Sequence, residues 1–257
     1  MTTLKQVMAQ LKKLGSQQTR RTFQRHGAPE NMFGVKVADL KTIVKQIRGE
    51  QDLALELYAT GNADARYLAG LVADGYVMTK KQLDAWCRES DWSMLSEYTV
   101  PWVACESRHA RDLSLKWMAS RKESVASSGW STYSSWISIL PDDELDLPEI
   151  RGLLKQVVAE IDGTPNRVRY TMNGFVISVG VYVTPCLKAA KAAAMKLGIG
   201  SVDSGETACK VPPATEYIEK AETAFETEQA EEAAARLLEG TFTLDDFLEQ
   251  MLSLIHI

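Results

Sequence analysis

The chain has 257 residues, 45% hydrophobic and 25% charged, which suits one large core or a short array of repeats and excludes collagen and intrinsic disorder. No stretch approaches the roughly 20 apolar residues of a membrane-spanning helix, and the opening MTTLKQVMAQLKKLG is amphipathic rather than a signal with an apolar centre, so the expectation is a cytoplasmic protein with no membrane partner. The net charge of −5 is uneven: residues 1–50 carry ten Lys and Arg against three acids, and residues 221–257 carry one Arg against nine acids.

Taken in chain order, the apolar residues keep the helical period. Leu4, Val7, Met8, Leu11 and Leu14 make one stripe, and Val37, Leu40, Ile43, Val44 and Ile47 make a second. The same spacing predicts helices over about 51–60, 64–75, 79–89, 108–120, 123–139, 149–161, 166–182, 186–197 and 213–238. Between them Gly27-Ala28-Pro29, Gly61-Asn62, Ser90-Asp91, Pro141-Asp142, Gly163-Thr164-Pro165 and Thr184-Pro185 mark short turns. Short turns between helices of this length make antiparallel pairs, and an all-α chain built from such pairs predicts a curved solenoid. One stretch departs from the pattern: residues 198–213, GIGSVDSGETACKVPP, hold too many Gly, Ser and Pro for a helix and read as an ordered loop.

The first helices supply the clearest functional signal. Lys12, Lys13, Arg20, Arg21 and Lys45 belong to a basic stretch that could follow a phosphate backbone; a solvated helix surface is the alternative. Trp86, Trp102, Trp117 and Trp136 fall at apolar helical positions and read as core. The four cysteines Cys87, Cys105, Cys186 and Cys209 lie far apart without a CxxC pair, so no metal site or disulfide framework is expected, and buried free thiols are. Cys209, beside Lys210 in the loop, is either a thiol of lowered pKa or a buried structural one. His26 and His109 stand at no metal spacing, and no cofactor motif is present.

Several segments together carry a family resemblance. Phe33-Gly34-Val35-Lys36-Val37-Ala38-Asp39-Leu40-Lys41 opens a helix, Glu56-Leu57-Tyr58 precedes Ala65-Arg66-Tyr67-Leu68-Ala69, and Asp91-Trp92 precedes Val100-Pro101. With SEYTVPWVACES, VRYTMNGFVISVG and GETACKVPPATEYIEK, in that order and spacing, the chain resembles the AlkD-like DNA alkylation repair family over about residues 1–220. The resemblance implies a HEAT-like helical-repeat solenoid whose concave basic face holds duplex or damaged DNA, and hydrolysis of the N-glycosidic bond of cationic alkylated purines, without metal or organic cofactor. A monomer is expected. A non-catalytic module of the same fold that recognises branched or distorted nucleic acid is the alternative, and a protein-binding scaffold a third.

Hydrolysis of an already cationic base needs one carboxylate near the sugar, with aromatic faces nearby. The family pattern, a Trp followed by an Asp four residues before a Pro, places Glu97 at the Asp when counted from Pro101, with Trp92 one residue further away than usual, and Ser96 there when counted from Trp92; Glu97 is preferred because it keeps a carboxylate. The resemblance thus implies Glu97 and Trp92 as catalytic; capping or bracing of the next helix is the other reading of Glu97. An Arg that touches DNA in the family falls at about Tyr133, and a second active-site Trp falls at about Asn173 or Gly174. Tyr133, Arg169 and Asn173, with Tyr170 beside them, are therefore candidate nucleic-acid contacts, although Asn173 could equally be a buried polar residue bonded to a neighbouring helix.

The C-terminal segment stands apart. Residues 225–251, FETEQAEEAAARLLEGTFTLDDFLEQM, resemble the stretch leading into the methionine-rich domain of the bacterial signal recognition particle GTPase, whose phosphate loop is absent here. The last six residues, Leu252 to Ile257, read as the in-frame translation of a common sequencing-library transposon end. The expected organisation is a domain over 1–220 and an acidic helical tail over 221–257 that is an assembly artefact, joined near Glu219 to Glu222; a natural acidic tail is the alternative.

Overall fold

Side-chain caps start several helices where the apolar stripes begin. Thr3 and Thr79 close capping boxes with Gln6 and Gln82, and the Asn62 side chain accepts from the Ala65 amide. The computed structural model describes residues 2–198, 211 and 213–225. Among these, the α-helices are α1 (Leu4–Leu14), α2 (Gln17–Arg25), α3 (Val37–Ile47), α4 (Gln51–Ala59), α5 (Ala63–Val72), α6 (Lys80–Glu89), α7 (Val100–Cys105), α8 (Ala110–Met118), α9 (Glu123–Ser138), α10 (Leu147–Glu160), α11 (Asn166–Tyr182), α12 (Leu187–Leu197) and α13 (Ala214–Phe225). No single helix among the described residues is long and apolar enough to cross a membrane.

From α4 onward the helices alternate between two rows. Consecutive members of the odd row, α5, α7, α9, α11 and α13, pack on one another or through the turn before α7, whereas in the even row only α10 and α12 pack closely together. One row drawn together and the other splayed is the geometry of an arc, so the odd row lines the inside of the curve and the fold is an all-α HEAT-like solenoid. Helices α1 and α3 close its N-terminal end by packing on α4 and α5.

The core runs along the interface between the rows. Leu57, Leu68, Leu83, Leu113, Trp117, Trp130, Phe175 and Val179 are all buried in it. Trp86, Trp102 and Trp117 are buried as expected, and Trp136 is half-buried with its edge on Tyr133. Cys87, Cys105 and Cys186 are buried free thiols. Where α8 and α9 cross, a Cβ on Gly129 of α9 would lie 2.4 Å from the Met118 amide nitrogen of α8, so only glycine lets these backbones approach.

Two elements lack a counterpart in the sequence-based expectation. Helix α2 buries no residue, and its one apolar side chain, Phe23, rests on Trp92 with ring centroids 5.4 Å apart. The segment 95–105 is buried on nearly every side, polar Ser96, Glu97 and Thr99 included, and carries a π turn over Leu95–Thr99 ahead of α7. At the other end α13 continues to Phe225, past the expected boundary at 220, with Ala214 and Ile218 buried and Lys191 paired with Glu222. The loop residues 199–210, Cys209 with them, and the tail 226–257 lie outside the described residues.

Candidate nucleic-acid interface

Pro101 shapes the centre of the inner row. It has no N–H to give the Glu97 carbonyl four residues back, and its ring crowds that carbonyl. The chain widens instead, with the Val100 N–H bonding to Leu95 O and the Thr99 hydroxyl to Met94 O at 3.1 Å. Across the turn Gly70 of α5 allows close approach, since a Cβ there would meet Thr99 Cγ2 at 2.4 Å.

This turn carries Glu97 inward, where its side chain is only 2% exposed. Arg167, in the first turn of α11, reaches it as a two-pronged donor: Nε gives to Oε1 at 2.7 Å and Nη2 to Oε2. The Tyr170 ring lies 4.5 Å from the guanidinium carbon. Glu123, at the start of α9, accepts the backbone N–H of Arg167 at 2.7 Å and so caps α11 from the neighbouring repeat. Burial pushes the Glu97 carboxyl up from the ordinary range and the Arg167 fork opposes this; Arg167 is held more firmly protonated by the same contact, which outweighs its own burial. Behind Glu123 opens a pocket of about 270 Å³, floored by Trp130 and Met172 and rimmed by Arg121, Gln156 and Glu160.

The other residues singled out from the sequence lie as follows. Trp92 is buried, its indole N–H donating to His26 O at 3.1 Å, so it ties α2 to the start of the turn and offers no free aromatic face. Tyr133 is fully buried and donates its hydroxyl to Glu149 at 2.7 Å, while Glu149 also takes the bidentate fork of Arg111. Its position is interior because a carboxylate of the next repeat satisfies its hydroxyl, and it has no surface to present to DNA. Arg169 donates to the carbonyls of Ile161, Asp162 and Thr164, closing the turn before α11. Asn173 is buried at 4% exposure. The structure thus brings Glu97 together with Arg167, which the sequence does not mark, and keeps Trp92, Tyr133, Arg169 and Asn173 out of that cluster.

The basic residues of the first helices lie outside. Lys12, Lys13, Arg21 and Lys45 are exposed on α1, α2 and α3 and make no ion pair among the described residues. Arg20 differs, for it is only 28% exposed and bridges to the Glu30 carboxylate at 2.7 Å and carbonyl at 2.8 Å. Among the described residues no three His, Cys, Asp or Glu side chains are grouped to hold a metal ion.

Comparison with known proteins places these features. Residues 7–190 match the model of a family described as DNA alkylation repair enzyme. An uncharacterised protein of Listeria innocua is 33% identical over 228 residues, which cover 86% of this chain and 98% of that protein. A solved structure is similar with a TM-score of 0.79 and 35% identity over 86% of this chain and 94% of its own; it is described as a new family of proteins related to the HEAT-like repeat DNA glycosylases with affinity for branched DNA structures. A stretch of 36 residues, 14% of this chain, is 61% identical to 7% of the signal recognition particle protein of Mycobacterium leprae.

Proposed function

Because the chain belongs to the DNA alkylation repair enzyme family, we propose that it binds DNA, favours branched or distorted forms through charge and shape, and leaves the N-glycosidic bond intact. The observation that carries this reading is the closed Glu97–Arg167 pair: the carboxylate at the position expected to stabilise a sugar cation has both oxygens on a guanidinium and is 2% exposed. A carboxylate neutralised in this way cannot supply the uncompensated charge that such a transition state needs. Trp92, with its indole committed to the core, cannot hold a cationic base. The affinity for branched DNA described for the 35% identical structure supports the choice of ligand, and the exposed Lys12, Lys13, Arg21 and Lys45, which make no ion pair among the described residues, supply its electrostatic footprint.

Titration of a labelled four-way junction and of a matched linear duplex, followed by fluorescence anisotropy at several salt concentrations, tests the binding. Incubation with methylated duplex and chromatography of released purines tests the chemistry. The expected result is tighter binding of the junction with a steep salt dependence and no purine release above the spontaneous rate. Release of N3- or N7-methylpurine that disappears in Glu97→Gln would overturn the non-catalytic reading and restore the alkylpurine glycosylase; equal, salt-insensitive binding of both forms would remove the proposed ligand.

A further inference from the structure

The side of α11 that faces into the curve presents Arg167, Tyr170, Gly174 and Ser178, all half-exposed at successive turns, and the matching side of α9 presents Ser131, Ser134 and Ser135. A Cβ on Gly174 would have nothing within 4 Å, so the groove between these faces is shallow and open. The hydroxyls on these faces come from Ser131, Ser134 and Ser135 of α9 and from Tyr170 and Ser178 of α11, and Arg167 stands at the end where α11 begins. Backbone contacts to DNA are made by hydroxyls and by arginine in this way, without reading bases.

Arg167 differs from an ordinary surface cation in how firmly it is held. Nε and Nη2 are fixed on Glu97, the Tyr170 ring lies under the guanidinium and the backbone N–H is fixed on Glu123. The third nitrogen, Nη1, has no bond among the described residues, and the side chain is 32% exposed. A guanidinium whose rotamer is already fixed binds an oxyanion without the ordering cost of a loose side chain. We propose that Arg167 contacts a DNA phosphate in the inner groove through Nη1, and that the buried Glu97 is the positioning residue that aims it. This rests on the DNA-binding reading above and gives Glu97 a role other than catalysis. The carboxylate is retained because it orients the donor, in the manner of an outer-shell group that fixes a ligand.

Two variants separate positioning from plain electrostatics. Glu97→Gln removes a negative charge beside the groove, so charge alone predicts tighter DNA binding, whereas loss of aim predicts weaker binding. The expected result is a several-fold weaker four-way junction complex despite the added positive charge. The double variant Glu97→Gln with Arg167→Met keeps the net charge of the protein and removes the pair together, which avoids a buried unpaired carboxylate; its expected loss is about tenfold, that of one charge-assisted hydrogen bond. Thermal melts establish that each variant is folded, and if the double variant is not, the sign of the Glu97→Gln effect decides. Binding of folded Glu97→Gln equal to or tighter than the parent, or a folded double variant with parental affinity, would overturn the role of Arg167 while leaving the DNA-binding reading standing. A parent that binds no junction would end both.

Discussion

The carboxylate of Asp64, in the first turn of α5, accepts the backbone N–H of Val35 at 2.8 Å and those of Phe33 and Gly34 at 2.6 and 3.2 Å. The side chain is buried and the loop it holds runs into α3, so one residue fixes the first helices, with their basic side chains, onto the solenoid. Gly34 is at φ +78 and a Cβ there would meet the Arg20 amide nitrogen at 2.5 Å, which is why the loop needs glycine where it meets α2.

Replacement of Asp64 by Ala leaves three amides without their acceptor. Each buried donor so abandoned costs roughly 1–3 kcal/mol, and the expected destabilisation is at least about 3 kcal/mol. Asp64→Asn keeps one acceptor oxygen and is expected to cost about half as much. Urea unfolding of the three proteins checks the order; equal midpoints would mean that the loop is held by its apolar contacts alone.

These anchors also explain how much of the fold is legible in the sequence. The all-α solenoid and most helices follow from a period that each stripe repeats, as Leu40, Ile43 and Ile47 do in α3. Helix α2 is invisible because Phe23 is its one apolar residue and a single residue has no period. The segment 95–105 is invisible for the opposite reason, since nearly every side chain in it is buried and no polar face marks a helix. Glu97 can be picked out through the family resemblance, whose pattern is counted back from Pro101, the same proline that forces its turn. Its partner cannot, because Arg167 lies 70 residues away and nothing local distinguishes it from Arg169, whose donors go to the turn carbonyls. Tyr133 reads as a surface residue in sequence because the acceptor that holds it inside, Glu149, comes from the next helix pair.

Asp84 links α6 to α8 by accepting from Lys116 Nζ and Trp117 Nε1, both at 2.9 Å, and it forms an ion pair with Arg88 at 2.7 Å. Burial raises its pKa, and these hydrogen bonds and charges together outweigh burial and hold the carboxyl below its usual value. A carboxyl whose folded-state pKa is depressed adds stability above its unfolded pKa, near 3.9, and loses it as the pH falls through the lower folded value. Asp84→Asn is therefore expected to cost roughly 1–3 kcal/mol at pH 7, with the difference from the parent shrinking as the pH falls below the unfolded value and through the lower folded one. Paired melts across that range check the sign; a gap that widens in acid would contradict it.

Glycines on two faces of the fold should respond oppositely. Gly129→Ala forces α8 and α9 apart at a crossing that a Cβ would narrow to 2.4 Å, and overpacking of this kind costs about 1–3 kcal/mol. Gly174→Ala meets nothing within 4 Å and is expected to stabilise α11 by up to about 1 kcal/mol through helix propensity. Thermal midpoints moving in the same direction for both would show that the crossing is looser than its geometry.

The last described helix, α13, is held by Ile218, which is buried against α11 where Gly180 leaves it room: a Cβ on Gly180 would lie 2.5 Å from Ile218 Cγ1. Truncation before Ala214 uncovers that packing and the Lys191–Glu222 pair, and is expected to cost roughly 2–5 kcal/mol, as for loss of a large buried side chain. On the proposal that the acidic tail is foreign to this array, truncation after Phe225 is expected to leave the melting temperature nearly unchanged. A large fall on removing 226–257 alone would show that those residues cover part of the core.

The basic residues of the first helices provide the last test, because their structural and functional roles separate cleanly. Lys12, Lys13 and Arg21 are exposed and make no ion pair among the described residues, so Lys12→Glu, Lys13→Glu and Arg21→Glu together should change stability by little more than about 0.5 kcal/mol each. Arg20 is unsuitable for the set, since its reversal would break the bridge to Glu30 and load a half-buried site with unpaired charge. If the three side chains neutralise phosphates, the triple variant should bind the junction more weakly and flatten the logarithmic dependence of affinity on salt by up to about 0.9 for each phosphate no longer neutralised. The slope is the discriminating quantity, because a general fall in protein activity lowers affinity at every salt concentration alike. A triple variant with parental stability, affinity and slope would leave these residues as a solvated surface and move the DNA-binding role to another face.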